Sequence, residues 1–194
     1  MPLEKVEAPY VHNRLRRIQQ GELLRDFVIP EVVGVSEADL DVQERHIPYC
    51  VVLTQDCDLE HDFNSVAESG GAAPHDKNLL SLLLCPAYLA EPFRLGEHLK
   101  DEGKVMQRIN SAEWGKLKTN QNARYHYLGP WTDLQVPELV VDFKHYFTVP
   151  RSTAYREESR ACYLATLEIL YREHLSSRFA HYLSRIGLPE LTSP

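Results

Sequence analysis

The chain has 194 residues, a formal net charge of -7, 43% hydrophobic and 25% charged residues. That length and balance suit one folded domain with its own core and exclude a disordered or fibrous chain. The negative charge argues against broad attraction to nucleic acid, and no apolar run reaches the roughly eighteen residues a spanning helix needs.

Met1 to Arg17 lacks the apolar segment of a secretory signal, so a cytoplasmic location without membrane attachment is expected. Cys50, Cys57, Cys85 and Cys162 show no CxxC pair and are expected to be free thiols. Arg14, Arg16 and Arg17 form the densest basic cluster, expected as a solvated helix face or N-terminal arm. No internal repeat is visible, and residues 1–194 read as one α+β domain.

Gly21 opens a β-rich run, Glu22 to Val35, whose internal Pro30 predicts an edge strand or a hairpin arm. Cys50-Val51-Val52-Leu53-Thr54 predicts a buried strand that exits into the polar stretch Gln55-Asp56-Cys57-Asp58. Residues 61–77, which contain Glu68-Ser69-Gly70-Gly71-Ala72-Ala73-Pro74, are predicted as a mobile loop. Leu79 to Cys85 reads as a second apolar strand, stopped by Pro86.

Between Pro92 and Asn120 the pattern is helical. Asn110 and Glu113 have capping-box spacing, and Trp114 and Leu117 fall on one helical face. Arg124 to Leu128 and Leu139 to Val149 are predicted strands that pair as neighbours. Arg160 to Ala165 reads as a strand. An amphipathic helix over 166–187, with Leu167, Leu170, Tyr171, Leu175, Phe179, Tyr182 and Ile186 at helical spacing, is predicted to close the core before Gly187 and Pro189.

The segments Gln20-Gly21-Glu22-Leu23-Leu24, Ile47-Pro48-Tyr49-Cys50-Val51-Val52-Leu53-Thr54 and Leu82-Leu83-Leu84-Cys85-Pro86 resemble, in order, elements of the PemK/MazF-like toxin family. That resemblance covers about the first half of the chain. It implies a small antiparallel SH3-like β-barrel, here elaborated by a helical insert and the C-terminal helix, together with a homodimer and metal-free cleavage of RNA. The family's catalytic Arg falls on Ile47 and its Thr on Tyr88, so toxin chemistry is not expected from these positions. A second resemblance, to uncharacterised bacterial proteins, rests on Thr54 to Leu59, Arg124 to Leu128 and Phe179 to Pro189. It implies one continuous domain and no particular chemistry.

The densest polar stretch is Gln55-Asp56-Cys57-Asp58-Leu59-Glu60-His61-Asp62. Cys57, Asp56, Asp58 and His61 are the candidate catalytic group, with Cys57 as nucleophile and His61, His126 or His145 as its base. Cys57, His61, Cys85 and His126 would suit zinc, the alternative to a chain without cofactor. Asp56, Asp58 and Asp142 would suit magnesium. The plain structural alternative makes Cys57 a small packed residue, uses Asp56 and Asp58 to satisfy loop amides, and leaves Cys50, Cys85 and Cys162 as core.

Arg124, Tyr125 and His126 are the candidate nucleic-acid contacts. Alternation is expected to place Arg124 and His126 on one face, beside Asp142 if the register allows. Two readings follow: a nucleic-acid-directed accessory or toxin-like protein acting on RNA, or a non-catalytic module that binds a protein partner or a zinc ion. Whether it is an enzyme stays open at this point.

Overall fold

The computed structural model describes residues 8–35, 40–69 and 75–185. Its strands are β1 (Tyr10–Val11), β2 (Glu22–Val35), β3 (Leu40–Val52), β4 (Ser81–Leu89), β5 (Tyr125–Leu128), β6 (Leu139–Asp142), β7 (Phe147–Pro150) and β8 (Tyr163–Leu167). All pairings are antiparallel, in the order β1-β8-β2-β3-β4-β6-β5, with β7 also on β4. The sheet curls into a half-barrel, and the chain is a mixture of helices and antiparallel strands.

The centre of this sheet is covered on both faces, which explains why its strands read as continuous apolar runs rather than alternating ones. Leu23, Val51, Cys85, Val141 and Ala165 meet Leu175 and Phe179 of helix α6 (Ile169–Leu183) on one side. Leu24, Cys50, Val52, Leu84 and Val149 meet Leu59 of helix α1 (Asp56–Ser69) and Ala154 of the short α4 (Arg151–Ala154) on the other. A third cluster joins Phe93 of α2 (Ala90–Leu95) to Trp114 and Leu117 of α3 (Ser111–Lys118) over Val140. The amide of Glu113 donates to Asn110 Oδ1 at 2.9 Å, so the cap expected for α3 is made.

Several expectations are corrected. The stretch after Thr54 is not a strand exit: Asp56 and Asp58 occupy the first turn of α1, where carboxylates suit the exposed amides and positive end of a helix. The predicted loop over 61–77 is therefore helical as far as Ser69 and contains a 3-10 turn at His75–Lys77, while 70–74 lie outside the described residues. The predicted strand Leu139 to Val149 is interrupted by a 3-10 turn at Phe143–His145. Ala87 faces Val141 but Leu84 faces Phe147, so three steps along β4 are matched by six on its partner, and the excess is taken up by that turn.

The strand expected over 160–165 is β8, preceded by α5 (Glu157–Ala161). The last helix starts at Ile169 rather than 166. Leu170 stands exposed and only Leu175 and Phe179 are buried, with Tyr182 packed beside them. Ile186 and Gly187 lie outside the described residues. Cys162, expected in the core, is half-exposed and sits against the carbonyls of Asp26 and Glu158. No helix among the described residues is long and apolar enough to cross a membrane.

Candidate functional site

The turn between β6 and β7 creates the most chemically loaded position in the molecule. Asp142 ends β6, and its Oδ1 accepts the amide of Lys144 at 3.0 Å, which caps the 3-10 turn. The same carboxylate is 1% exposed and grips Arg124 side-on, Nε at 2.8 Å and Nη2 at 2.5 Å. Both ends of Arg124 are fixed: its amide donates to Asn122 Oδ1 at 2.9 Å and its carbonyl accepts the Phe143 amide at 3.1 Å. The guanidinium carbon lies 4.9 Å from the centre of the Tyr125 ring, a cation–π distance. This grip engages Nε and Nη2 and leaves Nη1 without a hydrogen bond among the described residues.

Arg124 and Tyr125 border an open-mouthed cavity of about 480 Å³, whose wall also includes Gln107, Lys116, Gln121 and Asn122. On the other side of Asp142, His145 Nδ1 lies 3.5 Å from Oδ2 and 3.0 Å from the Tyr88 hydroxyl. The Tyr88 ring meets His98 edge-on at 4.6 Å, and His98 lies 4.4 Å from Phe93. Gly96 makes that approach possible. It has φ +81°, and a Cβ there would stand 2.0 Å from the Met106 carbonyl oxygen, so only glycine fits the turn that delivers His98.

Burial, followed in each case by smaller charge effects, holds the imidazoles of His98 and His145 below the usual histidine range, and burial raises the Tyr88 phenol. At neutral pH both rings are neutral, so each has one donor and one acceptor nitrogen. Arg124, Lys144 and Lys104 oppose a proton on His145, while Asp142 favours one. The arrangement thus offers a fixed guanidinium, aromatic faces and neutral imidazoles around one buried carboxylate.

The stretch around Cys57 is placed elsewhere. Asp56 accepts Arg17 at 2.9 and 3.0 Å and the Gln20 amide at 3.1 Å, with Arg172 3.4 Å away. Burial pulls its carboxyl upward, but these partners outweigh that and hold it below the usual range. Asp56 is therefore a tie between α1, the N-terminal segment and α6, and Arg17 belongs to that tie rather than to a solvated arm. Cys57 is exposed, with its sulfur 3.8 Å from Asp58 Oδ1. Asp58 and His61 line a different cavity, of about 520 Å³, with Asn64, Ser65, Asp76 and Lys77. The two cavities share no wall residue.

Cys85 is buried, its thiol on the Asp142 carbonyl at 3.1 Å. His126 is buried too, and it does not share a face with Arg124. Tyr125 stands opposite Asp142, so His126 points to the other side, toward Phe143 and His174 at 6.2 and 5.3 Å between ring centres. Cys57, His61, Cys85 and His126 are thus divided between an exposed helix and the interior. Among the described residues no group of three or more His, Cys, Asp and Glu could hold a metal ion. The magnesium set is not gathered either, since Asp56 is engaged by Arg17 and Asp142 by Arg124.

Sequence reasoning anticipated the Arg124–Asp142 meeting but missed Tyr88 as a partner of His145, and missed His98 altogether. Gly96 just before His98 was the available signal. It also missed Asp62, fully buried and bonded to Arg151 Nε at 2.7 Å and to the Leu79 amide at 2.9 Å.

His126 carries a prediction about pH. Burial, then repulsion from Arg178 and His174, lowers it to about 3. Its folded-state value is below that of the unfolded chain, so the unfolded chain takes the proton first as pH falls. Stability is then lost from about pH 6.5 downward, with a slope of about 1.4 kcal/mol per pH unit from this residue. Urea unfolding at several pH values should show the slope in wild type and a shallower one in His126→Phe.

Comparison with protein-family models, with curated proteins and with solved structures yields no match.

Proposed function

We propose that this chain binds single-stranded RNA across the groove formed by Arg124, Tyr125 and the cavity beside them, as a nucleic-acid-directed accessory or toxin-like protein. The observation that carries this reading is Arg124, held side-on by buried Asp142 above the Tyr125 ring in the cavity wall. A planar fork with one free amino group suits a phosphate oxygen, and an adjoining aromatic face suits an unstacked base. The other charges here are Lys116 and Glu113 in the cavity wall and Lys144 near His145, while Lys104 is paired with Glu102 at 2.7 Å, so Arg124 is the cation on which the reading rests.

The antiparallel half-barrel is compatible with the PemK/MazF-like resemblance. Tyr88, which stands where that family has its threonine, belongs to the cluster around Asp142, and Ile47, in place of the family's arginine, is buried at the foot of the β2–β3 hairpin. The reading is therefore of RNA binding without the family's cleavage groups. His126 is not one of the contacts, because it is enclosed in the core.

Fluorescence anisotropy with a short labelled RNA of mixed sequence tests this. Affinity is expected to fall with salt, with a slope of about 0.7 in log–log form for each phosphate contacted. Arg124→Ala is expected to weaken binding about tenfold and to remove about one such increment, and Arg124→Lys to recover part of the loss. Absence of binding at low salt, or equal binding by Arg124→Ala, would refute the proposal. A second reading, a protein-interaction module, is favoured by a separate observation: the exposed Val32, Val33 and Val42 on the β2–β3 hairpin.

A further inference from the structure

The hairpin of β2 and β3 extends well beyond the body of the sheet. β8 pairs with β2 only at Glu22 to Leu24, and β4 pairs with β3 only at Cys50 to Val52. Phe27 and Ile47, opposite each other, are the last fully buried pair. Beyond them, among the described residues, the two strands pair only with one another. An isolated two-stranded ribbon is marginal in water, because each strand satisfies only half of its backbone groups and neither face is covered.

The two edges of this arm differ. On β2, Pro30 removes a backbone donor, and the register slips between Val32 and Gly34; both features blunt an edge against further pairing. On β3, Asp41-Val42-Gln43-Glu44-Arg45 has neither device, and its charges are mixed in sign rather than uniform.

That mixture is self-complementary. Two copies that join antiparallel edges around a two-fold axis must centre the register on a single residue, because the axis keeps each side chain on its own face of the sheet. Centred on Gln43, Asp41 of each copy stands opposite Arg45 of the other, and Val42 opposite Glu44. Centring on Val42 sets Asp41 against Gln43, and centring on Glu44 sets Gln43 against Arg45, so neither forms an ion pair within Asp41 to Arg45. Centring on Asp41 or Arg45 opposes like charges. The Gln43 register also brings the two Val42 side chains diagonally together across the axis. Val32, cross-strand from Val42 on the same face, extends that strip; Val32 and Val42 are 55% and 52% exposed in the single chain.

We propose that the β3 edge of the arm pairs with the same edge of a second copy, centred on Gln43, to give a two-fold dimer with a continuous four-stranded ribbon. Among the described residues, the ion pairs of Arg45 are long, 3.9 Å to Glu31 and 3.8 Å to Glu102, and it can turn to Asp41 of the second copy. The contact is narrow, so the dimer dissociates on dilution.

Sedimentation velocity of the full chain over a dilution series tests the edge and the register. Wild type is expected to pass from dimer to monomer on dilution. Asp41→Arg and Arg45→Asp are each expected to be monomeric alone, since one sets Arg against Arg and the other Asp against Asp. Mixed in equal amounts they are expected to dimerise, because every facing pair is then Arg with Asp. An unchanged melting temperature confirms that the exposed arm substitutions leave the body folded. A wild type monomeric at every concentration would overturn the proposal. So would a dimer that survives each single reversal, or a mixture that stays monomeric.

Discussion

Arg160→Leu is expected to destabilise the protein by about 3–5 kcal/mol, the usual consequence of removing one partner from a buried ion pair. Arg160 Nη1 donates to Glu22 Oε2 at 2.6 Å, and the Glu22 side chain is fully buried. The carboxylate also accepts the Gln19 amide at 3.0 Å, while Arg160 Nη2 reaches the Leu15 carbonyl at 3.1 Å. Burial raises the Glu22 carboxyl, and the hydrogen bond and charge of Arg160 only partly offset that. Without Arg160 the carboxyl must stay charged and unpaired or take up a proton to fold, and both cost stability. The loss should be smaller at pH 5 than at pH 7, because protonation then relieves the orphaned group. Glu22→Leu/Arg160→Leu should be more stable than Arg160→Leu alone, since Ile18, Leu24 and Ala154 border the same small cavity and accept apolar neighbours. Urea unfolding of the two variants checks this, and a double variant no better than the single would mean that the pair contributes net stability.

The reach of the sequence differed sharply between elements. Cys50 to Leu53 announced a buried strand because a strand covered on both faces must be apolar at every position, and Pro30 marked the arm because a proline is tolerated only at an edge. The helix after Thr54 was concealed because it buries only Leu59 and Asp62 fully, which leaves too little apolar periodicity to see. Asp62 is explained by Arg151, 89 residues away, and Asp56 by Arg17 and Arg172 from opposite ends of the chain, partners that only the fold supplies. The interruption at Phe143–His145 was hidden for the opposite reason. Phe143, His145 and Phe147 keep a strand-like alternation, and the signal that overrides it is Asp142 capping its own turn. Hence the Arg124–Asp142 contact was legible in kind, whereas the face of His126 and the approach of His98 and Tyr88 depended on a register that no local pattern encodes.

Asp142→Ala is expected to combine a structural and a functional loss. The substitution removes two hydrogen bonds from Arg124 and the acceptor for the Lys144 amide, in a site where the carboxylate is 1% exposed. About 2–4 kcal/mol of stability should go, less than for Glu22–Arg160 because the Arg124 side chain is about one-third exposed and can turn to water. Arg124 then loses the orientation that holds it over Tyr125, so RNA affinity should fall nearly as far as in Arg124→Ala, with its positive charge still present. Asp142→Asn separates the two effects. The amide oxygen can still accept the Lys144 amide and one Arg124 hydrogen bond, so the turn should survive with a smaller loss in thermal unfolding. The lost negative charge leaves Arg124 unneutralised, so RNA binding at low salt should hold or tighten and its salt slope should steepen. If the pair served only to join β5 to β6, Asp142→Asn and Arg124→Ala would both lower the melting temperature and leave RNA binding where it was. Opposite movements of binding in Asp142→Asn and Arg124→Ala would therefore identify the guanidinium as a ligand contact, with the carboxylate as its support.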